Sequence, residues 1–373
     1  MTSRERLTRA FRCEPTDRVP LQVRGVSAWD ERWLEQKGRS FTELFEAVRE
    51  HGDWAAGWGA GSGFFFSATD QIQSHAEVVD SGRPDYKLHR HIVETPEGPI
   101  SSEVHVSTIG LPPMETKFWI ETEQDLRRFR SIPYVPPEPE VAGFRELNDR
   151  LGDRGIVLTS IGMDPVGTVW ALLGTEGMAL WSALQRETIF ELLEMFCEQQ
   201  LALFRYLLGR DVGPFFAWTG PELALPPIHS PQDFREFVVA YDRPLCELIH
   251  SLGGLVHVHS HGSLNAILEG FAEMGVDCLH PLEAPPWGDV PLAEAKRRIG
   301  GRVCLEGNVQ IGDVFDLPTP QFEHVVRQAM TDGKPGGGFI LCPTASPYVP
   351  ELSDRARDNY LAMIRIGLEM GEY

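Results

Sequence analysis

Four short apolar runs in the C-terminal third of the chain, at 255–258, 276–279, 303–305 and 339–341, each stop at residues that can do chemistry. His259 and His261 follow the first run, Glu283 the second, Asn308 the third and Cys342 the fourth. Helix-sized segments separate the runs. Apolar stretches spaced in this way read as buried parallel strands joined by crossover helices. In a closed (β/α)8 barrel the residues just past the strand C-termini converge on one mouth. The spacing therefore predicts an α/β fold, a single (β/α)8 TIM barrel over 1–373, with its chemistry at those five positions.

The same rhythm starts earlier. The pattern predicts helices at 3–12, 40–50, 141–151, 175–184, 188–208, 231–252, 263–274, 291–299, 320–331 and 353–370. It predicts further strands at 21–24, 155–161 and 213–218. The stretch 57–120 differs: it opens Gly- and aromatic-rich and then alternates polar with apolar residues, as in 102–107. Alternation broken by turn residues indicates an early insertion of antiparallel hairpins and loops. No Gly-x-Gly-x-x-Gly follows a first strand and no Walker A motif is present, which favours a closed barrel over an open nucleotide-binding sheet. No Gly-x-Ser-x-Gly elbow argues for a hydrolase triad.

Lys and Arg total 34 against 54 Asp and Glu, a net charge of −20. That balance opposes nucleic acid and anionic membranes as partners, since both select a basic footprint. The N-terminal segment is charged and no apolar run is long enough to span a bilayer, so a cytoplasmic protein is expected. Six cysteines, at 13, 197, 246, 278, 304 and 342, show no Cys-x-x-Cys pair and read as free thiols.

His257, His259 and His261 alternate along one strand and so face one side, His257 deepest and His261 nearest the mouth. Two neutral imidazoles with a carboxylate and a thiolate make a mixed donor set that suits Zn²⁺ and balances its charge. The expected metal ligands are His259, His261, Glu283 and Cys342. The bland alternative is that the histidines fill barrel layers and Cys342 is an inert buried thiol. Glu222 and Asp164 also follow strands, and with Asn308 they are the candidate catalytic residues; Asn308 after Gly307 could equally be a turn residue. Arg24, Trp218 and Tyr348 are the candidate substrate contacts.

Several stretches resemble the uroporphyrinogen decarboxylase superfamily. They are Arg4-Glu-Arg-Leu with Asp17-Arg-Val-Pro, His259-x-His261-Gly262, Gly275-Val-Asp-Cys-Leu-His-Pro-Leu-Glu283, Gly307-Asn308-Val and Gly336-Gly-Gly-Phe-Ile-Leu. The likeness runs from end to end and implies one (β/α)8 barrel with one of two chemistries. One is metal-free decarboxylation of porphyrinogen acetates; the other is zinc-dependent methyl transfer to or from a corrinoid protein. The decarboxylases carry an Arg-Gln-Ala-Gly-Arg-Tyr loop that binds substrate carboxylates, whereas here only Arg24 stands near that position. The coenzyme M type methyltransferases use His-x-Cys with a downstream Cys. Here His261 replaces the first Cys, Ala345 or Cys342 falls near the second, and Glu283 matches the family's glutamate ligand.

Exchanging an anionic sulfur for neutral imidazole makes the metal a stronger Lewis acid. Such a centre suits polarising an ether oxygen better than activating a thiol. The resemblance therefore implies methyl transfer from a small substrate, such as a methoxylated aromatic, to a separate corrinoid protein. A homodimer is compatible with the sequence. The alternatives are a metal-free decarboxylase or lyase of a small acid or porphyrinogen-like substrate, and a barrel that binds without catalysing.

Overall fold

The computed structural model describes residues 1–373. They divide into two compact units. The first comprises Met1–Ala60, Glu140–Asp164 and Phe204–Tyr373, the second Gly61–Pro139 and Pro165–Leu203. In chain order the strands are β1 (Trp54–Gly59), β2 (Gln73–Asp80), β3 (Tyr86–Thr95), β4 (Gly98–Ser107), β5 (Met114–Lys117), β6 (Gly155–Met163), β7 (Phe215–Thr219), β8 (Leu255–Ser260), β9 (Cys278–Pro281), β10 (Cys304–Val309) and β11 (Phe339–Pro343). No helix is long and apolar enough to cross a membrane.

The first unit is an α/β unit built on a seven-stranded parallel sheet, ordered β1-β6-β7-β8-β9-β10-β11. Each of the last four strands is preceded by a helix: Ala240–Ser251, Leu268–Met274, Leu292–Ile299 and Thr319–Gly333. Strand–helix alternation of this kind produces parallel neighbours in sequence order. Leu255, Val256 and Val258 of β8 and all five residues of β11 are buried, as expected of strands covered on both faces.

The outer strands β1 and β11 share one short connection. Leu21 forms a parallel bridge with Leu341; Leu341 N–H donates to Pro20 O and Gln22 N–H to Leu341 O. On its other side, Leu21 O accepts from Asp53 N–H at 2.8 Å, and Leu21 N–H donates to the Asp53 carboxylate at 2.9 Å. The strand expected at 21–24 is reduced to this one bridge. Pro20 has no N–H to offer a ladder, and Gly25 turns the chain away at φ 80°.

The helix Ser3–Phe11 closes the N-terminal end of the sheet. A capping box of Thr2 and Glu5 starts it. Its Leu7, Ala10 and Phe11 pack against Ile156, Phe215, Leu255, Cys278, Cys304 and Ile340, all at the beginnings of strands. Phe11 and Phe215 meet edge to face at 5.3 Å. That end is sealed by apolar burial, which leaves the C-terminal strand ends for chemistry.

The second unit holds an antiparallel sheet ordered β2-β3-β4-β5, lying within the stretch read as an insertion, and the helix Pro165–Leu184. That helix begins ten residues before the expected 175. Val166, Val169, Leu172 and Leu173 are all buried, so the segment has no polar face to reveal a helical period. Gly174, at φ 71°, kinks it, and a Cβ there would lie 2.4 Å from the Phe118 ring. The single helix expected at 231–252 is interrupted by a π-helical turn at Arg235–Val239.

Candidate active site

β8 carries His257 and His259 within it and His261 just beyond its end, while Asn308 and Cys342 lie inside β10 and β11. Parallel register sets His259 beside His280 and Asn308 beside Cys342. Gly307 must lack a side chain, because a Cβ there would lie 2.2 Å from Pro281 O of the adjacent strand.

The side chains form a line from the core outward. His257 Nε2 lies 2.8 Å from Glu306 Oε2, with both residues 2% exposed. Above them the ring of His280 lies 6.3 Å from that of His257 and 4.9 Å from that of His259. His259 Nδ1 and His280 Nδ1 are 2.7 Å apart. The rings of His259 and His261 meet edge to face at 4.6 Å, and His261 Nδ1 lies 2.9 Å from Glu283 Oε2.

The partners assign the protons. A carbonyl only accepts, so His280 Nε2, 3.1 Å from Pro343 O, carries hydrogen. Burial, reinforced by the Arg24 charge, lowers the His280 pKa to about 3, so its ring is neutral and its Nδ1 accepts. His259 Nδ1 must therefore donate, leaving Nε2 with its lone pair. Burial first, reinforced by the neighbouring His280 and the Arg24 charge, holds His259 far below the usual imidazole range. His261 Nδ1 faces Glu283 Oε2 and donates its hydrogen there, so Nε2 is the ring nitrogen left for another partner. Burial opposes ionisation of Glu283, but its hydrogen bonds, that from His261 first, outweigh it and lower its pKa.

An imidazole that donates Nδ1–H and keeps an Nε2 lone pair is the form in which histidine binds a transition metal. These residue types could hold a metal ion, but the compact donor sets in the structure are His280 with Glu306 and Cys342, and His257 with Cys278 and Glu306, not the expected four together. Glu283 is engaged with His261, Gly262 N–H and the Gln310 amide. Cys342 is fully buried, and its sulfur gathers with donor atoms of His280 and Glu306, all within 4.8 Å of one another. Burial and the Glu306 charge push its thiol well above the ordinary range. A second set, His257, Cys278 and Glu306, is equally compact and buried.

A cavity of about 910 Å³ opens beside these histidines. Of the expected residues it is lined by Arg24, Trp218, Glu222 and His259. Trp29, Trp54 and Ser346 also face it. Arg24 is half-buried and makes no side-chain hydrogen bond or ion pair, whereas Arg32 is matched by Asp30 at 2.8 Å. Glu222 is fixed by Thr219 Oγ1 at 2.7 Å and Gly220 N–H at 3.1 Å.

Of the other expected residues, Asn308, Asp164, Tyr348, His261, Glu283 and Cys342 do not line this cavity. Asn308 donates to Leu282 O at 3.3 Å. Asp164 is buried at the end of β6 and shares a side-chain hydrogen bond with Asp242. The Trp218 indole donates to Asp242 at 2.9 Å, so only its ring is available to a ligand. Tyr348 is 64% exposed and rests on Phe315.

Sequence reasoning missed His280 and Glu306. Glu306, a lone charge in the apolar run of β10, carried a visible signal. His280 did not, because its role depends on the register of β8 against β9.

A parallel α/β sheet with polar residues gathered at its C-terminal strand ends defines the class as a barrel-type enzyme scaffold. The chain belongs to the uroporphyrinogen decarboxylase family: the family's model, Uroporphyrinogen decarboxylase (URO-D), matches residues 153–347. A uroporphyrinogen decarboxylase of Crocosphaera subtropica is 25% identical over 244 residues, a match spanning 62% of this chain and 62% of that protein. Among solved structures, a methyltransferase from Methanosarcina mazei superposes with a TM-score of 0.61 at 17% identity, covering 99% of both chains. At that identity the likeness is one of fold.

Proposed function

We propose that this chain is a zinc-dependent methyltransferase that moves a methyl group between a small substrate and a separate corrinoid protein. The observation that carries the reading is the His259 ring, held through Nδ1 by His280, with the ring of His261 4.6 Å away and held through its own Nδ1 by Glu283. His259 and His261 supply the nitrogen ligands, with Glu283 and Cys342 as the further donors. Zinc bound there would supply Lewis acidity toward a substrate oxygen. The decarboxylase reading is less well supported, because the cavity holds a single unmatched cation where a polycarboxylate would require several.

The protein's own groups do the binding. Arg24 meets an anionic group of the substrate, and the rings of Trp29, Trp54 and Trp218 fit an aromatic body. Glu222, already oriented by Thr219 and Gly220, offers a polar contact on the cavity wall. Asn308 and Asp164 hold the strand ends that carry these groups. In this reading the bridge at Leu21 is the eighth stave of a (β/α)8 barrel, and residues 57–120 are an insertion into it.

Two measurements test the proposal. Elemental analysis of protein purified without added metal should find about one zinc per chain. Incubation with a reduced corrinoid protein and methoxylated aromatic acids should yield methylated corrinoid and the free phenol. Decarboxylation of uroporphyrinogen without methyl transfer would overturn it.

A further inference from the structure

The cavity beside His259 is larger than one aromatic ring needs. It measures about 910 Å³, whereas an apolar pocket of roughly 150 Å³ already holds benzene. Its wall, all of it in the first unit, also turns a corner. β1 is the edge strand of the parallel sheet, tied to the Leu21 bridge through Asp53, the residue just before it. Beyond that tie the segments part, and both Arg24–Trp29 and β1 border the cavity.

Strand alternation sorts the wall into two lobes. Ala55 and Gly57 share one face of β1, and Ala55 packs against the core at the strand starts, so that face looks inward. The inner lobe lies against it, with Arg24, Leu158, Ser160, Ala217 and His259. Trp54 points to the opposite face, where Trp58 meets Phe144 of the helix Ala142–Leu151. Glu146, Leu147 and Arg150 of that helix join Trp29 and Trp54 around an outer lobe. Gly57 stands where the wall rounds β1. It is exposed although it faces inward, and a Cβ on it would meet nothing within 4 Å. A larger residue there would narrow the way between the lobes.

The lobes differ in chemistry. The inner one holds Arg24, which has no direct ion pair. In the outer one the arginines are already answered: Arg32 at 2.8 Å and Arg150 at 3.9 Å both meet Asp30. The half-buried rings of Trp29 and Trp54 stand 6.3 Å apart, tilted by 50°. Trp54 is fixed, because its indole donates to Val48 O at 3.1 Å and the Arg154 guanidinium lies 4.7 Å from its ring. Held aromatic faces without an unmatched charge suit an uncharged ring.

Resting on the methyl-transfer reading, we propose that the preferred substrate is a two-ring methoxylated aromatic acid. The ring bearing the methoxy and carboxylate groups lies in the inner lobe, between His259 and Arg24. A second, uncharged ring passes Gly57 and lies against Trp29 and Trp54. Gly57 thereby sets how large a substrate the site accepts.

Isothermal titration of the protein as purified, without a corrinoid partner, tests this with 3-methoxybenzoate and 3-methoxy-5-phenylbenzoate. The two-ring acid should bind at least about tenfold more tightly. Gly57→Leu should bring the two acids to within about twofold of each other by closing the way to the outer lobe. Trp29→Ala should weaken the two-ring acid roughly 2- to 10-fold and leave the one-ring acid unchanged. Equal affinities in the wild type, or losses in both variants that the two acids share equally, overturn the proposal. Tight two-ring binding without methyl transfer to a corrinoid would count against the catalytic reading alone and leave the two-lobed site standing.

Discussion

His259 and His280 share one hydrogen between their Nδ1 atoms, 2.7 Å apart, and this contact fixes the chemical form of the site. Because Pro343 O takes the other hydrogen of His280, His259 can only donate through Nδ1. His280 is therefore a positioning residue. It sets the tautomer of a ligand ring, as outer groups commonly do around bound metals. His257, one layer deeper, is committed instead to Glu306.

The two layers should respond differently to mutation. His259→Ala removes a nitrogen ligand at the open end, so zinc content should fall to near zero while the protein still folds. His257→Ala leaves the Glu306 carboxylate buried without its imidazole, which should cost about 3–5 kcal/mol of stability. Its zinc content should stay near that of the wild type. Elemental analysis and thermal melts read both. Equal metal loss in the two variants would contradict the layering.

Cobalt reports whether sulfur joins the ligand set. In the Co²⁺-substituted protein a thiolate ligand gives a sulfur-to-metal charge-transfer band in the near ultraviolet. The band should be present in the wild type and absent in Cys342→Ser, with His259→Ala losing cobalt altogether. No band in the wild type would place Cys342 with His280 and Glu306 as a structural thiol.

Asp53 joins the Leu21 bridge to β1. Its carboxylate accepts from Arg6 at 2.6 Å, from Arg18 at 2.8 Å and from Leu21 N–H at 2.9 Å, and its side chain is fully buried. Removing it takes one of two carboxylates from Arg6, which keeps Asp17, and leaves the Leu21 N–H unmatched. Asp53→Ala should lose about 1.5–3 kcal/mol in denaturant titration. A loss below about 1 kcal/mol, typical of exposed pairs, would show that the network contributes little to closing the sheet.

Much of this was legible because strand ends announce themselves. The apolar runs that stop before His259, Glu283, Asn308 and Cys342 marked the strands β8 to β11, of whose expected residues only His259 lines the cavity, and the turn-rich alternation near 102–107 located the antiparallel sheet. What escaped depended on register and on uniform burial. His280 becomes important only because β9 sets it beside His259. The helix from Pro165 is buried almost throughout its first turns, which erases the polar stripe that marks a helix. The sequence does not show that the four expected metal ligands differ in depth: His261 meets Glu283 at the mouth, while Cys342 meets His280 and Glu306 below.

A pH dependence of stability should come from Asp242. Burial pushes its pKa up to about 7, although hydrogen bonds from the Trp218 indole and Asp164 act in the other direction. A carboxyl whose folded pKa is raised contributes most below its unfolded value and loses that contribution as pH rises through the folded one. The wild type should therefore lose stability between about pH 4 and pH 7 from this group, on the order of a few kcal/mol. Asn can still accept from Trp218 and stays neutral, so Asp242→Asn should flatten that part of the profile. An unchanged slope in the variant would remove Asp242 as its source.

Arg24 should decide which substrates bind. It is the cavity arginine with no direct ion pair, although its charge is felt by buried Glu306, while Arg32 and Arg150 both border Asp30. A half-buried guanidinium left unmatched costs desolvation, which an anionic ligand would offset. For methoxylated aromatic acids, Arg24→Ala should raise KM about 10- to 150-fold, the span of a hydrogen bond to a charged group. For the corresponding neutral methoxylated aromatics it should change KM little, and Arg32→Ala should have a small effect on both. Equal losses for acid and neutral substrates would mean that Arg24 shapes the cavity, and that the substrate's charge is read elsewhere.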